Sequence, residues 1–255
     1  MSGGAARADR RRMRSDRHEE PGMTRASARR MLKVVTDALE DRYGVPTHAP
    51  YGDVVASLVG TILSQNTSDV NSGRAFRGLR ERFPTWSEVA HARASSIESA
   101  IRSGGLARTK SVRIHAILRE IERRTGSIDL SFLADRPTED VLEYLMAFDG
   151  VGRKTAACVA LFELGRDVVP VDTHVHRVVS RLGVVGRPRT PEVTFDRLRE
   201  VAPAGRALSL HVNLIGLGRE ICRPRSPGCD RCPINGRCTH AGEGRSQRGT
   251  GTEGG

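Results

Sequence analysis

Residues 145–174 read LMAFDGVGRKTAACVALFELGRDVVPVDTH, and this stretch organises the chain. A short apolar helix running up to about Phe148 is stopped by Asp149-Gly150. Gly150-Val151-Gly152 then makes a tight hairpin, because glycine accepts backbone angles that other residues avoid. A second helix is expected from about Arg153 to Leu164. A Gly-x-Gly turn entering a helix leaves free amides at the helix start, and such amides bind phosphate. Lys154 stands two residues after Gly152, and Asp172 follows eighteen residues later, beyond Pro170.

Lys154 is informative because lysine is rare. The chain has 41 basic residues, and its only lysines are Lys33, Lys110 and Lys154. Where positive charge alone is needed, this sequence uses arginine. Arginine stays protonated and cannot act as an amine nucleophile, whereas lysine can. The alternative is that Lys154 is one more phosphate contact.

The formal net charge is +11 over 255 residues, which points to a polyanionic partner. Residues 1–30 carry +5, residues 241–255 carry zero, and the body between keeps +6. No run of about 18 apolar residues exists, so no membrane span is expected. The basic N-terminus lacks a following apolar core, so it does not read as a secretory signal. Met23 is an alternative start.

Four of the five cysteines lie within seventeen residues, as Cys222, Cys229, Cys232 and Cys238 in the spacing C-x6-C-x2-C-x5-C. That density favours a metal centre in a reducing compartment over disulfides. Spacing alone admits zinc or a [4Fe–4S] cluster. Cys158 falls on the apolar side of the second hairpin helix and is expected in the core. Arg223 and Arg225, stiffened by Pro224 and Pro227, form a short basic loop between the first two cysteines, suited to a phosphate backbone.

Apolar positions Ala28, Met31, Leu32, Val35 and Leu39 give an amphipathic helix from Thr24 to about Tyr43. Short helices follow from Tyr51 onward, and no stretch alternates as a strand. The fold class is therefore all-α. Residues 1–22 and 241–255 read as disordered tails.

GVGRKTA followed by VDTHVHRV resembles the helix-hairpin-helix-GPD superfamily of DNA glycosylases, and most of all its endonuclease III branch. The resemblance runs from about Thr24 to Cys238. It implies two helical domains with the active-site cleft between them. One is a six-helix barrel over 51–166 that carries the helix-hairpin-helix at about 139–164. The other is discontinuous, formed by the N-terminal helix region 23–50 with 167–240, and holds one [4Fe–4S] cluster on the four cysteines. By residue, the resemblance makes Lys154 the Schiff-base nucleophile and Asp172 its partner. Gly150, Gly152 and Arg153 grip the DNA backbone. Leu106 matches a wedge that enters the duplex, and Asn66 stands where relatives carry a Gln that fills the vacated stack, with Gln65 beside it. Lys110 and His174 are expected at phosphate, with Arg223 and Arg225; His176 is expected to be structural. Other readings remain for three of these: a buried loop leucine for Leu106, helix-end capping for Gln65 and Asn66.

The implied activity is removal of oxidised pyrimidines from double-stranded DNA, followed by cutting 3′ to the abasic site through β-elimination. The alternatives are a mismatch uracil or thymine glycosylase, and an inert DNA-binding module with a structural metal. The expected partner is duplex DNA with damaged bases or abasic sites, with no membrane. The protein is expected to be a monomer in the cytoplasm, nucleoid-associated in a prokaryote.

Overall fold

The computed structural model describes residues 23–186 and 190–243. The tail expected at 1–22 lies outside the described residues, as does most of the one expected at 241–255. Residues 241–243 are described, and they are helical with Ala241 buried, so that tail does not start at 241. Among those described, every regular element is helical, and no helix is long and apolar enough to cross a membrane. The chain divides into two compact units: one is continuous over Thr47–Pro170, and the other joins the segment up to Pro46 to the segment from Val171.

The discontinuous unit begins with α1 (Arg25–Tyr43), capped by the Thr24 hydroxyl, which accepts from Ser27 N. The core of the continuous unit is α2 (Val54–Ser64), in which only Thr61 and Ser64 escape full burial. A helix apolar on all sides is stable only when enclosed. It is enclosed by α3 (Asp69–Arg82), α6 (Ala107–Thr125) and α8 (Arg153–Phe162). Leu58, Ile62 and Leu63 have essentially no exposure, and each such burial contributes about 1.5–3 kcal/mol. Two short helices, α4 (Trp86–His91) and α5 (Ala94–Ala100), lead back to α6, and α7 (Thr138–Met146) precedes the hairpin into α8. Helix α6 starts two residues before the Thr109 expected from apolar spacing, because its first turn is polar and carries no periodic signal.

In the discontinuous unit α9 (Thr173–Leu182), α10 (Pro191–Val201) and α11 (Ala207–Glu220) follow one another, and α1 packs on α10 and α11. The two distant segments are tied by polar contacts. Arg206 pairs with Asp37 and Glu40. Tyr43 Oη donates to Glu220 at 3.0 Å, and Asn213 Nδ2 donates to the Gly44 carbonyl at 3.0 Å.

Candidate functional site

The hairpin forms as its sequence requires. Phe148 N bonds back to Leu145 O and Val151 N to Phe148 O, while Val151 itself is buried. Gly150 has φ +75°, and a Cβ there would stand 2.3 Å from Arg113 Nε. Glycine is thus needed twice at this position, for conformation and for space. Gly152 is different: its φ is −87°, and a Cβ would meet nothing within 4 Å. Nothing in the protein demands glycine there. Its absent side chain leaves the start of α8 open, and no side chain caps that helix. First-turn amides without intrahelical partners, together with the positive helix end, suit an anion.

Lys154 lies in the first turn of α8, half-buried, and Arg153 beside it is exposed. Within its own unit Lys154 Nζ has no hydrogen-bond acceptor or ion-pair partner among the described residues. The next residue, Thr155, is buried and accepts from Gln65 Nε2 at 3.2 Å. Gln65 Oε1 in turn accepts from Arg113 at 3.0 Å, and Arg113 packs on Gly150. One amide side chain therefore connects the end of α2, the side of α6 and the hairpin helix. That side chain serves these partners, while the Gln65 backbone N–H caps the end of α2 by bonding Ile62 O at 3.2 Å, so the helix-end reading holds for the backbone alone.

Asn66 and Leu106 sit at the tips of two loops. Both have left-handed backbones, with φ of 52° and 48°, and both are exposed, Leu106 at 59%. This removes the reading of Leu106 as a buried loop leucine. A left-handed residue with a Cβ costs about 1–2 kcal/mol, so the surrounding structure must hold both turns. The expectation for Lys110 is corrected here. It is 2% exposed, and its ammonium donates to Leu63 O at 2.7 Å, Thr67 Oγ1 at 2.8 Å and Gly104 O at 2.8 Å. With all three donors taken inside the protein, it has none left for phosphate.

In the discontinuous unit Asp172 is the N-cap of α9: its Oδ1 accepts from Val175 N at 2.8 Å. One oxygen fixes the carboxylate, and among the described residues of the unit the other has no partner. His174 is half-buried, with Nδ1 3.0 Å from Arg177 Nη2. A guanidinium only donates, so Nδ1 accepts and Nε2 carries the proton of the neutral ring. His176 Nδ1 lies 2.7 Å from Thr194 Oγ1, and burial lowers its pKa below the ordinary histidine value.

Cys222, Cys229, Cys232 and Cys238 are free thiols lining one small cavity with Val178, Leu217, Ile221 and Ile234. Burial raises the pKa of Cys232 and Cys238, and the neighbouring sulfurs push the same way. Arg181 donates to Cys222 Sγ at 3.3 Å and to the carbonyls of Arg223 and Pro224 at 2.7 and 2.9 Å. Four cysteines lining one cavity, with the Arg181 cation beside one sulfur, are a donor set suited to thiolate-bound metal. Among the described residues, however, no group of three or more His, Cys, Asp or Glu is arranged to hold a metal ion. Arg223 and Arg225 are exposed on the loop so anchored. Cys158 is buried in α8.

Sequence reading missed Thr67, Arg113, Thr155 and Arg181 as organisers of these sites. None of these four carries a local signal, since their partners lie far along the chain.

The family model for the HhH-GPD superfamily, base excision DNA repair proteins, matches residues 59–204, more than half of the chain. An Arabidopsis thaliana protein is 36% identical over 192 residues, which are 72% of this chain and 66% of that protein. Endonuclease III of Thermotoga maritima is 35% identical over 181 residues, 71% of this chain and 80% of its own length. The fold is similar to that of endonuclease III trapped as a covalent intermediate with DNA, with TM-score 0.71 and 24% identity, covering 85% of this chain and 98% of that one.

Proposed function

The chain belongs to the HhH-GPD superfamily of base excision DNA repair proteins, and we propose that it is a bifunctional DNA glycosylase and abasic-site lyase acting on oxidised pyrimidines. The observation that carries this reading is the position of Lys154. It is a half-buried amine in the first turn of α8, beside an uncapped helix start that Gly152 leaves open. Amides at that start grip phosphate without reading sequence, which suits an enzyme that scans any duplex.

The target nucleotide leaves the stack before its glycosidic bond can be reached. The neutral Lys154 amine attacks C1′, and the bonding pair of the glycosidic bond leaves with the base, which takes up a proton. Asp172 accepts the proton released by the attacking nitrogen, through the oxygen its own helix cap leaves free, and stabilises the cationic sugar. Opening of the sugar ring gives an imine at C1′, which acidifies C2′. Loss of a C2′ proton then expels the 3′ phosphate. Cys222, Cys229, Cys232 and Cys238 would hold one [4Fe–4S] cluster. Bound there, the cluster ties residues 222–238 into one rigid piece that presents Arg223 and Arg225 to the DNA backbone.

A panel of duplexes with one lesion each tests the substrate. Thymine glycol or another oxidised pyrimidine should be removed with strand cutting. Preferential removal of uracil or thymine opposite guanine, without cutting, would replace this reading with a mismatch glycosylase. Binding without any cleavage would leave an inert DNA-binding module.

A further inference from the structure

Two exposed left-handed residues, Asn66 and Leu106, belong to loops that the chain separates by about forty positions, yet one buried ammonium joins those loops. Lys110 donates to Leu63 O in the last turn of α2, to Thr67 Oγ1 on the loop that follows it, and to Gly104 O on the second loop. The Thr67 hydroxyl adds contacts to Gly104 O and, at 3.1 Å, to Gln65 O. Asn66 stands between Gln65 and Thr67, and Leu106 two residues after Gly104, so each tip is flanked by clamped backbone.

The residue type fits the task. An ammonium presents three donors in a tetrahedral fan, which matches three oxygens approaching from two chain segments. A planar guanidinium does not. Arginine supplies positive charge nearly everywhere else in this sequence. Lys33, by contrast, forms an exposed pair with Asp37 on one helix.

We propose that Lys110 is a positioning residue for nucleotide extrusion, locking the loops of Asn66 and Leu106 into one rigid insert that enters the duplex as a unit. The proposal rests on the DNA reading given above. Burial lowers the Lys110 pKa below the ordinary lysine value, while three oxygen acceptors favour the protonated form. The ammonium is the only state that satisfies all three.

The test uses 2-aminopurine placed opposite a tetrahydrofuran abasic analogue, whose fluorescence rises when the facing base is unstacked, whether or not any base is removed. Full-length wild type, Lys110→Met and Thr67→Val are each added at saturation, with affinity measured in parallel. Wild type should give a clear rise. Lys110→Met should bind comparably yet give little rise, and should remove a paired lesion roughly ten- to a hundredfold more slowly. The same lesion in an unpaired bubble, which needs no insertion, should be processed by the variant at the wild-type rate. Thr67→Val should show the same split more weakly, and it decides the matter if Lys110→Met does not fold. Equal slowing on paired and bubble substrates in folded variants, or an undiminished fluorescence rise, would overturn the clamp. If wild type raises the fluorescence but cuts no lesion, the glycosylase reading fails while the clamp is still judged by the variants' fluorescence. No rise with wild type overturns the clamp itself.

Discussion

Gln65 Nε2 donates to Thr155 Oγ1 at 3.2 Å, one residue along the helix from Lys154. The other end of the same carboxamide accepts from Arg113, which packs on Gly150. Gln65→Leu should therefore leave two groups without their partner and lower stability by about 1–3 kcal/mol. Base removal should fall further than this destabilisation explains, because the turn carrying Lys154 loses a brace. Denaturant unfolding and single-turnover rates on one lesion duplex check both. An unchanged rate per folded molecule would show that the brace has no bearing on Lys154.

The two hairpin glycines should respond differently to alanine. Gly150→Ala places a Cβ in a left-handed residue and against Arg113, so it should destabilise by about 1–3 kcal/mol. Gly152→Ala meets open space at an ordinary φ, so stability should stay within about 1 kcal/mol. DNA affinity should nevertheless drop for every duplex sequence, since the new methyl obstructs approach to the amides. Melting curves and binding titrations separate the two effects. Full affinity in Gly152→Ala would remove the hairpin from the interface.

The helices were legible because their apolar spacing is the spacing the fold buries, as at Ala28, Leu32, Val35 and Leu39. Cys158 was legible for the same reason. Lys110 was misread because its acceptors are two backbone carbonyls and a hydroxyl brought together by folding, and a sequence does not display carbonyls. The partners of Gln65 lie 48 and 90 residues away, beyond any local pattern. Lys154 stood out through the rarity of lysine and the four cysteines through their spacing, whereas Asp172 was reached only through the resemblance carried by VDTHVHRV.

The cysteine cavity predicts brown protein, with broad absorption near ~400 nm and about four irons per chain. Cys229→Ser should lose iron and solubility together, because metal binding and loop folding are coupled. DNA affinity should fall with them, as Arg223 and Arg225 lose their support. Colourless protein holding one zinc would contradict the cluster assignment.

Acid should loosen the end of α6. Arg123 and then Arg124 hold the Glu120 carboxyl at about 2, below the ordinary 4.5. Arg124 also lies 4.7 Å from the Phe148 ring centroid and donates to Ala147 O at 3.3 Å, at the entrance to the hairpin. A carboxyl depressed in the folded state stabilises it above the unfolded value. That contribution is lost as pH falls from about 4.5 towards 2. Asp37, Glu40, Asp129 and Glu220 are also held below their ordinary values, so both proteins should lose melting temperature across this window, wild type more steeply than Glu120→Gln. Parallel curves for the two proteins would contradict the sign.

The most direct measurement is borohydride trapping on duplex DNA that carries an abasic site. If Lys154 forms an imine with the sugar, reduction yields a covalent protein–DNA adduct. Lys154→Gln should abolish it, while Lys33→Gln should leave it intact. Asp172→Asn keeps a residue able to cap α9, so it should bind DNA and lose most base removal. Lys154→Arg decides the account. A guanidinium retains the charge but offers no neutral amine, so this variant should bind DNA and give neither adduct nor strand cutting. Full cutting by Lys154→Arg would mean that Lys154 serves only as a phosphate contact, and the Schiff-base mechanism would fall.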